Sequence, residues 1–338
     1  MEKIRLGVVG TNFITDWMIA GARQDSRVEI SAVCSRSMDR AQALAARHGI
    51  PQCFSSLEEM AASPGVDAVY IATPNFRHAD QSILCMDHGK HVLCEKPLAT
   101  CAAEAEKMIA TARRRGVVLM EAMKSTLNPN FSALKAAVWR IGAVRRYFAS
   151  YCQYSSRYDR YKAGELPNAF NPAYAGGALM DIGVYTVYPM VALFGMPRTV
   201  RASALLLPSG ADGQGSATFG YDGMEATIIY SKIADSSLPS EIQGEDGTVV
   251  VDHINNIGRI SLIERPAGSA GGRRRESAAV DLSVPADKDE YYYEVAEFTD
   301  LILHGKSESA VNSHSNSLYT MELLDEIRRQ TGIVFSTD

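Results

Sequence analysis

Residues 3–120 alternate short apolar runs with amphipathic stretches. Ile4–Val9, Val28–Cys34, Ala68–Ala72, His91–Cys94 and Val117–Met120 read as strands. Ile14–Gln24, Asp39–His48, Leu57–Ala62, His78–His88 and Ala102–Arg115 read as helices. Strands that alternate with helices imply a parallel sheet with helices on both faces. Buried parallel strands need no polar alternation, and these runs have almost none.

From about Leu127 the rhythm changes. A helix over Phe131–Arg140 precedes a strand over Val144–Tyr154, and 155–175 reads as a long loop rich in Tyr, Asn and Pro. Gly176-Gly177 opens a helix through Leu193. Six strand-like segments follow, at Val200–Leu207, Gly215–Tyr221, Glu225–Lys232, Ser240–Gln243, Thr248–Asp252 and Arg259–Ile263. Asp222-Gly223 and Asp246-Gly247 carry the Asp-Gly signal of tight hairpins, so this half is expected to be an open antiparallel sheet with a few helices. Glu290–Leu303 and Ser315–Gln330 close the chain as helices, with Gly305 and Gly332 as stops. The predicted division is 1–124 and 125–338. Strands 200–207, 215–221 and 225–232 carry apolar residues on both parities. A sheet covered on one side only would then leave an apolar face, which predicts a homodimer or higher homo-oligomer.

Composition narrows the classes. A chain of 338 residues fits two domains at roughly 150 residues each. Its 46 % hydrophobic and 22 % charged residues exclude a disordered chain. The net charge of −5 gives no global attraction to nucleic acid or anionic lipid. No run approaches the roughly 18 consecutive apolar residues of a membrane span, and the first residues lack the apolar region of a signal peptide. Six cysteines without a C-x-x-C pair read as free thiols in a reducing cytoplasm, with no metal site expected. Ala267–Arg275 reads as an exposed hairpin tip.

Four segments carry chemistry. Gly7-Val8-Val9-Gly10-Thr11-Asn12-Phe13-Ile14 follows a strand and opens a helix, where backbone N–H groups can hold a pyrophosphate. It departs from G-x-G-x-x-G, with Asn12 and Thr15 at the second and third glycine positions. Asn tolerates a left-handed backbone, so the turn is expected to survive. At the end of the second strand, where an acidic residue would hold an adenosine 2′-hydroxyl, stand Ser35, Arg36 and Ser37, with Arg40 one turn on. Guanidinium pairs with a 2′-phosphate, so this end favours NADP over NAD. Cys94-Glu95-Lys96-Pro97 lies at the C-terminal end of a strand, the ligand side of an open parallel sheet. In Gly176-Gly177-Ala178-Leu179-Met180-Asp181-Ile182-Gly183-Val184-Tyr185, Asp181 and Tyr185 are four apart and share a helix face. Tyr185 can exchange a proton with a carbonyl oxygen, and Asp181 can bind substrate hydroxyls.

In this order and spacing the segments resemble the glucose–fructose oxidoreductase/inositol dehydrogenase (Gfo/Idh/MocA) family. Ala72-Thr73-Pro74-Asn75 with His78, Glu95-Lys96-Pro97, GGALMDIGVY at 176–185 and the late Leu323-Leu324-Asp325-Glu326-Ile327 carry the likeness over nearly the whole chain. The resemblance implies an N-terminal Rossmann domain and a C-terminal α/β domain with a large open antiparallel sheet. It implies that Thr73, Pro74, Asn75, Glu95 and Lys96 line the nicotinamide and substrate side, with His78 among the cofactor-binding residues. Tyr185, and Met120-Glu121-Ala122-Met123, are similar to the dimeric dihydrodiol dehydrogenase branch, although Lys124-Ser125-Thr126 then departs from it. The function expected is an NADP- or NAD-dependent oxidoreductase moving a hydride between nicotinamide and a secondary alcohol or carbonyl of a sugar, inositol or dihydrodiol. Lys96, Tyr185 and Asp181 would be its catalytic residues, and Arg157–Asn171 its specificity wall. A non-catalytic cofactor-sensing regulator and a redox-neutral NAD-dependent glycosidase are the alternatives on this fold.

Overall fold

A computed structural model describes residues 3–265 and 278–336. The Ala267–Arg275 segment lies outside the described residues. The chain divides into two compact units, Met1–Lys124 with Asp287–Glu322, and Ser125–Ala286 with Leu323–Ser336. This differs from a single cut at 124/125. Residues 287–322 return to the first unit because a helix they form lies along its first helix.

In the first unit the elements run β1 (Ile4–Val9), α1 (Phe13–Ala22), β2 (Val28–Cys34), α2 (Met38–His48), β3 (Gln52–Phe54), α3 (Leu57–Ala62), β4 (Ala68–Ile71), α4 (His78–Asp87), β5 (His91–Glu95), α5 (Ala102–Arg115) and β6 (Leu119–Ala122). The six strands pair in parallel in the order β3-β2-β1-β4-β5-β6. Every residue of β4 and β6 is buried, as expected for strands covered on both faces. The reversal of strand order falls between β1 and β4, so a crevice opens at their C-terminal ends. β3, only three residues long, is too short for an apolar pattern to reveal it.

The second unit contains α6 (Lys124–Leu127, beginning at the boundary), α7 (Pro129–Val138), β7 (Val144–Cys152), α8 (Tyr158–Lys162), α9 (Val184–Phe194), β8 (Thr199–Leu206), β9 (Asp212–Gly220), β10 (Glu225–Ser231), β11 (Ser240–Gly244), β12 (Gly247–Val251), β13 (Ile260–Glu264) and β14 (Val280–Asp281). Two helices complete the chain, α10 (Glu290–Leu303) in the first unit and α11 (His314–Thr331), within which the division between units falls. The second sheet has the order β14-β13-β12-β11-β7-β10-β9-β8. It is mixed rather than wholly antiparallel, because β10 returns beside β7 in parallel. Edge strand β8 is capped from α11, where the Gln330 side-chain amide donates to the Val200 carbonyl and accepts from the Ala202 N–H. That pairing occupies backbone groups an edge would otherwise offer to another strand.

Two further expectations change here. The face of this sheet away from the buried side chains is mixed: Phe148, Ile229, Val250 and Ile263 are half-buried among Thr218, Thr227, Thr248 and Ser150. The expected loop at 155–175 instead holds α8 and two single 3₁₀ turns, Asn168–Phe170 and Pro172–Tyr174. Phe170 is wholly buried, with Tyr158 and Tyr161 against it. Polar residues outnumber the few large side chains that hold this segment, so its small core is hidden in a sequence pattern. The helical run Pro172–Phe194 is apolar and long enough by composition to cross a membrane. However, 78 % of its most apolar window is buried in the protein, as in a core helix.

Candidate active site

In the first unit, three strand ends are tied to one another by hydrogen bonds. Gly10 ends the β1 turn at φ +110°, and a Cβ there would lie 2.5 Å from the Ala72 carbonyl oxygen after β4. Only glycine fits that approach. Asn12 does not take the left-handed backbone expected of it; it is extended, at φ −89°. Its side chain caps α1 by accepting from the Ile14 N–H at 2.8 Å, and it donates to the Ala72 carbonyl at 3.0 Å. Thr15 fills the third glycine position, with its hydroxyl donating to the Gly10 carbonyl. The turn therefore keeps one glycine and replaces two by side chains that bond back to it. Thr11 and Ile14 are half-buried there, while Phe13 is exposed and stacks edge-on to Trp17.

β4 and β5 are joined by His78. Its buried ring places Nδ1 2.9 Å from the Pro97 carbonyl and Nε2 2.9 Å from the Thr73 carbonyl. The neutral ring has one N–H to donate, so it bonds one of the two carbonyls and lies between the loops that follow β4 and β5. Burial pushes its pKa down, against the two carbonyls. The Thr73 hydroxyl donates to Gln81, and Pro74 and Asn75 are half-buried beside it. Glu95 and Lys96 follow at the end of β5, with a cis Lys96–Pro97 bond. The Tyr70 hydroxyl donates to the Glu95 carboxylate; burial raises the Glu95 pKa, with Lys96 and this hydrogen bond opposing.

At the end of β2, Ser37 caps α2 by accepting from the Arg40 N–H, and Ser35 accepts from the Ser37 N–H. Arg36 and Arg40 are exposed, and among the described residues neither is held in an ion pair. No carboxylate follows β2 before Asp39. Two unengaged guanidiniums beside two hydroxyls fit a phosphorylated ribose, and the glycine turn fits a pyrophosphate that must approach backbone closely.

In the second unit, the segment Leu179–Gly183 is a π-helical turn that runs into α9. Such turns interrupt the regular ladder and recur at functional sites. Here Thr186 donates to the Gly183 carbonyl at 2.6 Å, and the Tyr147 hydroxyl donates to the Thr186 carbonyl at 2.9 Å. Asp181 stands on the π turn with its side chain 42 % exposed. Tyr185, one turn on, is buried, its ring edge-on to Tyr151 at 5.7 Å between centroids. The chemistry available is a half-open carboxylate acceptor on the π turn and, four residues on, a buried phenol.

The family model described as "Oxidoreductase family, NAD-binding Rossmann fold" matches residues 4–123, and the GFO/IDH/MocA C-terminal domain matches 133–250. The chain belongs to the GFO/IDH/MocA oxidoreductase family. It is 48 % identical to scyllo-inositol 2-dehydrogenase (NADP(+)) IolU of Bacillus subtilis (strain 168), over 99 % of each chain. It is 31 % identical to a trans-1,2-dihydrobenzene-1,2-diol dehydrogenase of Danio rerio, over 92 % of this chain and 91 % of that one. Among solved structures, levoglucosan dehydrogenase in complex with NADH and levoglucosan shares the fold at a TM-score of 0.85 and 20 % identity, over 98 % of both chains. KijD10, a 3-ketoreductase from Actinomadura kijaniata, does so at 0.84 and 23 %, over 99 % of both.

Reading this family member from sequence left three residues out. Asp212, at the start of β9, is fully buried and accepts from the Leu179 N–H at 2.7 Å, holding the π turn by its N-terminal end. A Cβ on Gly177 (φ +142°) would lie 2.0 Å from its Oδ1, which explains the second glycine of the motif. Burial pushes Asp212 up to about 6, with the backbone N–H groups opposing. Lys232 forms an ion pair with the Asp181 carboxylate. Glu294 of α10 is fully buried, and neither of its carboxyl oxygens has a hydrogen-bond partner. Burial and the neighbouring Glu95 hold its pKa well above the usual range. None belongs to a local motif; a lone Asp before a strand, a Lys after one and a Glu in an amphipathic helix are ordinary in sequence.

Proposed function

We propose that this protein is an NADP-preferring dehydrogenase that interconverts a secondary alcohol and a carbonyl on a small polyhydroxylated substrate of the inositol, sugar or dihydrodiol class. The observation that carries this reading is the pair of unengaged guanidiniums, Arg36 and Arg40, on a Rossmann unit, in a chain that also has the half-open Asp181 carboxylate and, four residues on, Tyr185. The name of the 48 % identical relative supports both the cofactor and the substrate class.

Gly10, Thr11, Asn12, Phe13 and Ile14 hold the pyrophosphate in this reading. Ser35, Arg36, Ser37 and Arg40 hold the 2′-phosphate, while Thr73, Pro74, Asn75 and Glu95 bound the nicotinamide side. When bound, nicotinamide supplies the hydride acceptor or donor. Asp181 accepts a substrate hydroxyl and orients the ring. Tyr185 of the second unit exchanges the proton at the reacting oxygen, and Lys96 of the first unit is the other catalytic candidate. The protein works as a homodimer, the commonest closed assembly, although the open face of the second sheet is mixed rather than apolar, and in the reducing cytoplasm that six free thiols suit.

A panel of inositols, sugars and dihydrodiols, followed at 340 nm with NADP and with NAD, tests the assignment. Turnover with at least one polyol and a preference for NADP is the expected result. Binding of NADP without turnover on any member would make the protein a cofactor sensor. Hydrolysis of an aryl glycoside without net reduction would make it a glycosidase. Light scattering at micromolar concentration should give twice the single-chain mass, and a monomer mass would overturn the dimer.

A further inference from the structure

Glu294, in the second turn of α10, is wholly buried, and neither of its carboxyl oxygens has a hydrogen-bond partner. An ionised carboxylate without a donor is too costly in such a place, so Glu294 carries its proton. The packing of α10 along α1 brings it there. A Cβ on Gly21 would stand 2.6 Å from the Tyr291 Cβ, and Glu294 lies three residues on from Tyr291, on the same helix face. What this face meets is the end of β5. Glu95 and Glu294 act on each other and, together, on the buried Tyr70 phenol, whose hydroxyl donates to Glu95 and not to Glu294. That bond marks Glu95 as the ionised member, because a donor to a carboxylate favours its charge. Like charges in one buried place leave a single charge for the two carboxyls. The other groups that act on Glu294 are Lys124 and, from α10 itself, Asp289, Glu290 and Tyr291. Lys124 is paired with Glu290 at 2.6 Å, its ammonium 4.8 Å from the Tyr291 ring centroid. α1 carries Asp16, which Arg47 and His48 hold. Burial and the charge of Glu95 keep the Glu294 proton in place, with Lys124 opposing.

We propose that Glu95 and Glu294 form an acid pair that holds one proton in the free protein and releases it when oxidised NADP binds, so that the pair discriminates the oxidised from the reduced cofactor. The proposal rests on the reading that nicotinamide lies at the Glu95 end of β5. Oxidised nicotinamide carries a positive charge, and the reduced ring carries none. A cation at that strand end favours the second carboxylate, as Lys96 and Lys124 already favour the first. On binding, the O–H bond of the Glu294 carboxyl breaks, its electron pair stays on the oxygen, and the proton passes to the solvent buffer. Binding and proton release are then one linked equilibrium. Affinity for oxidised NADP rises with pH relative to affinity for NADPH. Once hydride transfer removes the charge on the ring, the pair takes a proton back, and oxidation of the alcohol supplies one.

The test uses the full chain and needs no turnover. Oxidised NADP and NADPH are titrated calorimetrically into wild type, Glu294→Gln and Glu294→Met between about pH 6 and about pH 9, in buffers of differing ionisation enthalpy. Thermal melting checks that each variant is folded. Heat that varies with the buffer counts protons. Wild type should release more protons with oxidised NADP than with NADPH, and the ratio of the two affinities should shift at least about fivefold toward oxidised NADP as pH rises, the low end of common couplings between sites. The 2′-phosphate is present in both cofactors, so its own titration cancels. Both the excess proton and the shift should vanish in the two variants. Equal proton counts for the two cofactors in wild type overturn the proposal, as does an excess that persists in Glu294→Gln. The second readout is infrared. The difference spectrum of wild type against Glu294→Gln should contain the C=O band of a protonated carboxyl at neutral pH, and oxidised NADP, unlike NADPH, should remove that band from wild type. A carboxylate band in its place overturns the shared proton. Wild-type proton counts and the loss of the band decide the proposal even where a variant does not fold. If neither cofactor binds, the reading of the first unit fails and the linkage with it, while the infrared band still decides whether the pair holds a proton.

Discussion

Each unit positions its motif with one buried carboxyl from a neighbouring strand, and the two carboxyls differ in an instructive way. In the first unit Glu121 of β6 accepts from the Leu98 N–H at 3.0 Å, just past Lys96-Pro97. In the second, Asp212 of β9 accepts from the Leu179 N–H at 2.7 Å, two residues before Asp181. Both are buried, and burial raises both pKa values, Glu121 to about 7 and Asp212 to about 6. Glu121 also faces Glu95, which pushes it further up, and its Oε2 has no hydrogen-bond partner. Asp212 has Lys232 and several backbone N–H groups to favour its charge. A like charge adds to burial at the first support, against the Leu98 N–H, Ser317 and Lys96, whereas at the second burial acts against backbone N–H groups and Lys232 with no acid adding to it.

The strongest way to break this comparison is to remove the catalytic candidate that each motif carries. Lys96→Met and Tyr185→Phe should each cut turnover by about 10²–10⁴-fold, the usual contribution of an acid–base or electrostatic group. Cofactor affinity should be largely retained in both. Tyr185→Phe should also flatten the alkaline limb of the pH profile. If Lys96→Met keeps more than about half of wild-type turnover, the first unit carries no catalytic group and the parallel between units fails. An unchanged pH profile in Tyr185→Phe would give the proton to Lys96.

Next in size is Gly177→Ala. Its Cβ would lie 2.0 Å from Asp212 Oδ1 and would sit on a backbone at φ +142°. Clash and strained backbone together should cost at least about 3 kcal/mol, read from urea unfolding monitored by second-unit fluorescence. Asp212→Ala in the same chain should recover part of that loss, because it removes the clashing oxygen. No recovery would mean that backbone strain alone demands the glycine.

The pH dependence of stability sharpens the comparison further. A carboxyl whose pKa is raised on folding holds its proton in the native state while the unfolded chain releases it. Stability is therefore highest below the unfolded value and falls as pH rises through the window between the two. That window is 4.5 to about 7 for Glu121 and 3.8 to about 6 for Asp212. At about 1.4 kcal/mol per pH unit, each should remove about 3 kcal/mol across its window. Glu121→Gln and Asp212→Asn keep an acceptor for the backbone N–H and abolish the titration. Relative to wild type, each should therefore gain stability with rising pH, and the gain for Asp212→Asn should be complete about one pH unit earlier. Parallel curves for wild type and variant would show that the carboxyl is not held neutral by the fold.

What the sequence made legible follows the same division. The first unit could be read because its determinants are local: β2 and α5 span the residues predicted, and the Gly10 turn, Arg36 and Lys96 all stand beside strand ends. Even there, Asn12 works by bonding to Ala72 rather than by a left-handed backbone, and His78 lies between carbonyls of two loops. Such ties join residues 60 and 19 positions apart, which periodicity does not register. In the second unit, the Gly-Gly…Asp…Tyr motif named the right turn but not what holds it, because Asp212 and Lys232 lie 33 and 51 residues from their partners. The parallel pairing of β7 and β10 was hidden for the same reason. A strand pattern states which face is buried, not which neighbour it meets.

The smallest expected effect tests the part of the first unit that no buried carboxyl supports. Arg36 and Arg40 are exposed at the end of β2, and among the described residues no acid pairs with either. A 2′-phosphate brings close to two negative charges to that position, and NAD brings none. A charge-assisted hydrogen bond contributes roughly 1.5–3 kcal/mol, while about 1.4 kcal/mol is tenfold in affinity. Solvent and salt screen an exposed pair, so the lower end applies. NADP should therefore bind at least about tenfold more tightly than NAD. Arg36→Ala should erase most of that gap and leave the NAD constant nearly unchanged, because the hydroxyl of NAD has no use for the guanidinium. Raising salt from 50 to 500 mM should shrink the wild-type gap, unlike the effects of the buried groups above, which salt reaches poorly. Calorimetric titration of both cofactors into wild type and variant measures all four constants. Equal wild-type affinities, or tighter NAD binding, would mean that Arg36 points to solvent and that the cofactor preference has no basis at this strand end.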